Sequence, residues 1–168
     1  MKAFCITGYS GSGKTTLLEG LIPRFVARGL KVSLIKHTHH DFDVDRPGKD
    51  SYRLREAGCT EVMLLSNTRW ALMHELRGAP EPDLAEQLAL MSPCDLVLVE
   101  GYKQATMPKL EVHRPELGKP LLLDQEGDGE AHIVAVASTE PLALRVPCLA
   151  LQDHAAIAEF ILQFHGWV

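Results

Sequence analysis

With 168 residues, 46% hydrophobic and 23% charged, the chain has globular composition and the length of about one domain, able to bury roughly two-thirds of its unfolded surface without disulfide or metal staples. A formal net charge of −5 excludes a protein held on nucleic acid chiefly by phosphate contacts, and no apolar stretch reaches the ~20 residues of a membrane span. Met1 leads into an apolar segment without a secretory leader pattern, so the expectation is a cytoplasmic protein with neither nucleic acid nor membrane as partner.

In chain order, Ala3 to Thr7 (AFCIT) is a short apolar strand that stops at Gly8. Leu17, Leu18, Leu21, Ile22, Phe25 and Val26 recur at helical spacing within Lys14 to Arg28, with Pro23 inside and Gly29 as the C-terminal cap. Lys31 to Lys36 reads as a second strand, Gly48 to Gly58 as a short helix and Thr60 to Ser66 as a third strand. A Trp-containing run from Arg69 to Leu76 follows, then an amphipathic helix near Asp83 to Met91. The fully apolar run Asp95 to Glu100 (DLVLVE) has the pattern of a strand buried on both faces. Lys109 to His113, Ile133 to Ala137 and Cys148 to Leu151 are three further short strands, Asp124 to Glu130 is an exposed loop, and Asp153 to Phe164 is a closing helix. Neither a repeat nor a composition shift divides the chain. The expected architecture is one α/β domain, a P-loop nucleotide-binding fold with a mostly parallel central sheet and helices on both faces. Cys5, Cys59, Cys94 and Cys148 form no C-x-x-C pair, and are expected to be reduced and mostly buried.

Gly8 to Thr15 (GYSGSGKT) fits G-x-x-x-x-G-K-[ST] between a strand and a helix, the context the motif demands. Its glycines allow backbone conformations closed to other residues, so that successive N–H groups face phosphate at a helix N-terminus. Gly11, Ser12, Gly13, Lys14, Thr15 and Thr16 are the candidate phosphate-binding residues. Lys14 is the counter-charge for the terminal phosphates, and Thr15 offers a hydroxyl to Mg²⁺. A partner carboxylate is expected at the C-terminal end of a buried strand. Glu100 meets that requirement, and Asp95 falls at the opposite end as a turn residue.

The stretch from His37 to Ser51 (HTHHDFDVDRPGKDS) holds three His and several Asp. Three readings stand beside one another: a Zn²⁺ or Ni²⁺ site, a switch-like loop in which Asp41 or Asp43 holds Mg²⁺ waters, and a solvated loop with turn-forming Asp. The second is favoured because the C-terminal edge of strand two adjoins the phosphate loop in such folds. Asp41 thereby joins Lys14 and Glu100 as a candidate catalytic residue.

GYSGSGKTTLLEGLIPRF, LIKHTHHDFDVDRPGKDSYRLREAG, the RWALM run and LVEGYK together resemble the molybdopterin-guanine dinucleotide biosynthesis adaptor protein B family over most of the chain. The resemblance implies a GTP-binding protein that uses Mg²⁺, with weak GTPase activity and a homodimeric state. It also implies a supporting role beside the guanylyltransferase that joins GMP to molybdopterin. Carried onto this sequence, it places phosphate on Gly11 to Thr15, Mg²⁺ on Thr15 and Glu100, and a further contact on the Asp41 to Lys49 stretch, including Arg46, Pro47, Gly48 and Lys49. The N-K-x-D signature that reads guanine in most GTPases is absent. The candidates in its place are Ser66, Asn67, Thr68 and Arg69, or Ala137, Ser138 and Thr139. The competing functional readings are a small-molecule P-loop kinase, with its acceptor near His37 to Asp45, and a nickel-insertion GTPase. Trp70 and Trp167 are candidate interface residues, Trp70 equally a core residue.

Overall fold

The computed structural model describes residues 1–38, 42–125 and 132–167. The chain forms two compact units, Met1–His37 with Gln87–Val168, and Thr38–Glu86.

The first unit is built on six strands: β1 (Lys2–Thr7), β2 (Val32–Lys36), β5 (Leu96–Glu100), β6 (Lys109–His113), β7 (Ile133–Ser138) and β8 (Cys148–Ala150). They lie in the order β2-β5-β1-β6-β7-β8, and every pairing is parallel. Phe4, Ile6, Leu96, Leu98, Leu110, Val112, Ala135 and Ala137 bury one face under two helices, α1 (Lys14–Ala27) and α4 (His154–Phe164). Helix α1 contributes Leu17, Leu18, Leu21 and Phe25, and α4 contributes Ile157, Ala158, Ile161 and Leu162, the spacing that puts one apolar stripe toward a core. Where the two helices meet, a Cβ at Gly20 would overlap the His154 ring. Pro23 sits within α1 without ending it, and Gly29 at φ 82° closes its C-terminus. Asp153 caps α4 by accepting the Ala156 N–H at 2.9 Å. Val136 and Ile133 cluster with Leu122 and Leu123, which lie at the start of a short 3₁₀ turn (Leu123–Gln125) downstream of β6. Asp95 acts as the expected turn residue, its carboxylate accepting the Lys31 N–H at 2.7 Å.

The second unit contains α2 (Asp50–Glu56) and the strands β3 (Glu61–Leu65) and β4 (Trp70–His74), which pair antiparallel as a separate two-stranded sheet. The apolar run of β3 reads in sequence like a strand of the main sheet, yet it turns back on the Trp run instead. Helix α3 (Leu84–Leu90) spans the boundary between the units. Trp70 is 59% exposed and Leu65 77%, which removes the core reading of Trp70. The expectation of mostly buried cysteines is also corrected: Cys5 is buried, Cys94 and Cys148 are half-buried, and Cys59 lies exposed in the turn after α2. No helix among the described residues is long and apolar enough to cross a membrane.

Candidate functional site

The loop from β1 to α1 has the backbone that its glycines imply. Gly8, Gly11 and Gly13 stand at φ 144°, 79° and 98°, and a Cβ at Gly8 would come 2.5 Å from the Val112 carbonyl oxygen. Lys14 folds back over the loop, its Nζ donating to the carbonyls of Gly8 (3.1 Å) and Tyr9 (2.9 Å). Burial lowers the Lys14 pKa from its ordinary value; Glu100 opposes that shift, and the like charges of Lys103 and Lys36 add to it. Two buried hydroxyls, Thr7 Oγ1 just before the loop and Ser12 Oγ within it, have no hydrogen-bond partner among the described residues. Thr16 follows Thr15 in the first turn of α1, on the surface.

Glu100 ends β5, which is flanked by β1 and β2, with Ile6 and Lys36 in register beside it. It is 6% exposed. Its Oε1 accepts the Thr15 hydroxyl at 3.1 Å, and Oε2 pairs with Lys36 Nζ at 3.2 Å. The same Lys36 ammonium donates to Thr15 Oγ1 at 3.3 Å. The structure thus brings together the two residues that sequence reasoning assigned to Mg²⁺. A hydroxyl in the first turn of α1 and a buried carboxylate at the end of β5 are oxygen donors of the kind that a hard divalent cation takes, so the residues fit Mg²⁺.

Two cations at this site were not among the sequence candidates: Arg114 stands in no motif, and Lys103 closes the LVEGYK stretch without an assigned role. Arg114, just after β6, donates Nε to the Ser12 carbonyl at 2.9 Å, with its guanidinium against Gly13. Its Nη1 reaches Glu116 Oε1 at 3.2 Å, and Glu116 Oε2 accepts the Thr139 hydroxyl at 3.0 Å. A polar chain therefore links the phosphate loop to the end of β7, where Ser138 and Thr139 lie. Lys103, after β5, is the other cation, its ammonium 4.2 Å from the centroid of the Tyr9 ring.

The remaining candidates fall in the second unit. Ser66, Asn67, Thr68 and Arg69 form the β3–β4 turn, and the Ser66 hydroxyl is spent on that turn, accepting from the Thr68 and Arg69 N–H groups and donating to the Arg69 carbonyl. Arg46, Pro47, Gly48 and Lys49 make the exposed turn that starts α2, closed by the Lys49 N–H on the Arg46 carbonyl at 3.1 Å. Asp43 and Asp45 are engaged locally. Arg55 reaches Asp43 at 2.7 Å and Glu75 at 3.0 Å, Ser51 donates to Asp45 at 2.8 Å, and the Asp45 N–H donates to Asp43. The hydrogen bond from Arg55 holds the Asp43 carboxyl below its ordinary pKa. This is the turn-forming use of aspartate, and among the described residues no cluster of His, Cys, Asp and Glu is arranged to hold a metal. Asp41, with His39 and His40, lies outside the described residues. His37 donates its N–H to the Glu100 carbonyl at 3.0 Å and packs its ring on Tyr102.

Comparison with known proteins agrees with this arrangement. The family described as molybdopterin guanine dinucleotide synthesis protein B matches residues 3–139. A molybdopterin-guanine dinucleotide biosynthesis adapter protein of Haemophilus influenzae is 46% identical, over 96% of this chain and 90% of its own length. Its Escherichia coli counterpart is 45% identical, over 93% of this chain and 89% of its own length. Among solved structures, a molybdopterin-guanine biosynthesis protein B superposes with a TM-score of 0.74 at 26% identity, covering 96% of this chain and 99% of the other. A homologue from Bacillus stearothermophilus superposes with a TM-score of 0.70 at 27% identity, covering 98% and 97%. The sheet order, the phosphate loop and these likenesses together show that the chain belongs to the molybdopterin-guanine dinucleotide synthesis protein B family.

Proposed function

We propose that this protein is an adapter in molybdopterin guanine dinucleotide biosynthesis that binds GTP with Mg²⁺ and hydrolyses it slowly. It works in the cytoplasm as a homodimer beside the guanylyltransferase that attaches GMP to molybdopterin. The adapter role rests on the family and on the names of relatives about 45% identical along nearly the whole chain. The nucleotide reading rests on one observation: a loop whose glycines hold left-handed conformations leads into Lys14 and Thr15, and the Thr15 hydroxyl meets the buried Glu100 carboxylate. In that arrangement loop N–H groups and Lys14 bind phosphate, while Thr15 and Glu100 hold Mg²⁺, which supplies charge neutralisation when bound. Slow hydrolysis is consistent with a site in which no glutamine is placed by the sequence pattern to orient an attacking water.

Glu100→Gln tests the metal half of this reading. It keeps the side-chain shape and removes the charge, so GTP affinity measured with Mg²⁺ should drop about tenfold, as expected for losing one charged ligand of a hard cation. Affinity measured in EDTA should stay near wild type. Equal losses in both conditions would assign Glu100 to the fold.

The dimer is supported by the β3–β4 sheet. Met63, Leu64, Leu65, Trp70 and Leu72 are all exposed on a two-stranded sheet, which is marginal alone and apolar enough to be an association surface. Sedimentation equilibrium should give a dimer for the wild type and a shift toward monomer for Leu65→Asp with Trp70→Asp; a wild-type monomer at all concentrations would contradict it.

A further inference from the structure

The turn after β5 is fastened at several points and presents a lysine to the phosphate loop. Gly101 leaves β5 at φ 102°, its N–H donating to the Ile6 carbonyl at 3.1 Å. Tyr102 follows in the left-handed region at φ 38°, where a non-glycine residue is strained, and its hydroxyl donates to Gln87 at 2.6 Å. The Ala105 N–H closes the turn on the Tyr102 carbonyl at 2.9 Å. Lys109, buried on β6, donates its Nζ to the carbonyl of Lys103 at 2.9 Å. The backbone of Lys103 is therefore fixed, while its side chain rests on Tyr9, the second residue of the phosphate loop. The Tyr9 ring is itself held at its far end, where the phenol oxygen accepts from Gln125 Nε2 at 2.9 Å.

We propose that Lys103 is a phosphate-binding residue of this site, its ammonium leaving the Tyr9 ring for the terminal phosphate of a bound nucleoside triphosphate. The inference rests on the nucleotide reading above and names a residue that neither the loop motif nor the pairing of Thr15 with Glu100 assigns. Lys36, paired with Glu100 at 3.2 Å, and Lys103, over the Tyr9 ring, both bring positive charge to Lys14 and disfavour its charged form, with Glu100 as the opposing carboxylate. A polyanion relieves that repulsion. A cation over an aromatic face is held more weakly than one in charge-assisted bonds to phosphate oxygens, and the flexible lysine stem allows the exchange.

Calorimetry with Mg²⁺, using GDP and a GTP analogue that cannot be hydrolysed, separates this role from a structural one. Lys103→Met keeps the stem and removes the charge. It should weaken the triphosphate about tenfold, the expected size of one lost charge-assisted bond, and change GDP affinity by less than about twofold, with Lys103→Arg restoring most of the loss. Equal losses for both nucleotides, or no loss, would overturn the assignment of Lys103 alone. A wild-type protein that binds neither nucleotide would overturn the nucleotide reading and this inference with it.

Discussion

Lys14→Ala is expected to reduce affinity for GTP by at least about a hundredfold while leaving the circular dichroism spectrum and thermal transition near wild type. A lysine on a phosphate loop makes charge-assisted bonds worth roughly 1.5–3 kcal/mol each, and more than one such bond exceeds the ~2.7 kcal/mol that a hundredfold represents. Among the described residues, the hydrogen bonds of this ammonium go to the part-buried Gly8 and Tyr9 carbonyls. Those carbonyls return to water when the side chain is cut back, so folding loses little. The partial burial that lowers the Lys14 pKa also makes its charge costly to hold without an anion, which is why removing it falls on binding rather than on stability. Calorimetry on the variant with an unchanged dissociation constant would remove Lys14 from the site.

Glu111→Ala is expected to have the largest effect on stability, about 2–5 kcal/mol, or a fall of roughly 5–15 °C in thermal midpoint for a chain of this size. Glu111 is fully buried on β6, beside Thr7 of β1. Its two oxygens accept the N–H groups of Leu122 (2.8 Å) and Leu123 (3.0 Å). Truncation orphans both donors inside the protein and loosens the turn that carries Leu122 and Leu123 into their apolar cluster and Gln125 to Tyr9. Burial pushes the Glu111 pKa above its ordinary value, with the two N–H groups pulling the other way. The folded state therefore holds this proton more readily than the unfolded state does. The associated stability is fully present below the ordinary glutamate pKa and is lost as pH rises through the raised one. Glu111→Gln, which does not titrate, should lack that component in a pH series of denaturant melts. A Glu111→Ala midpoint within a degree or two of wild type would show that the turn is held by other means.

The parts of this structure that were legible from sequence are those in which a short stretch makes an unusual demand on its own backbone. GYSGSGKT requires three left-handed glycines, and the strand before it and helix after it stand where that requirement puts them. Glu100 was legible because an unbroken apolar run ends on it, and Asp95 because a charged residue at the other end of such a run belongs in a turn. The insertion of β5 between β2 and β1 was not, since parallel pairing is a nonlocal choice that periodicity does not record. The β3–β4 hairpin was hidden for a related reason: Thr60 to Ser66 reads as one more strand and Arg69 to Leu76 only as a Trp-containing run, and nothing local records that the two pair with each other and leave much of their apolar surface exposed. What the sequence does not show of Asp43 is its partner, Arg55, twelve residues away, a pairing made only by the fold. Arg114 is a single cation after a strand with no pattern around it, and Lys103 closes the LVEGYK stretch with nothing there to aim it at phosphate; both acquire meaning only when β5 and β6 flank β1.

The central claim is that the loop, Lys14, and the pair of Thr15 with Glu100 form a guanine-nucleotide site that uses Mg²⁺. Titration calorimetry of the wild-type protein with a non-hydrolysable GTP analogue, in Mg²⁺ and in EDTA, and with the matching ATP analogue, tests it most directly. The account predicts saturable one-site binding of the GTP analogue per chain, tighter in Mg²⁺ than in EDTA and tighter than for the ATP analogue. Absence of binding to either analogue, or binding indifferent to Mg²⁺, would contradict it.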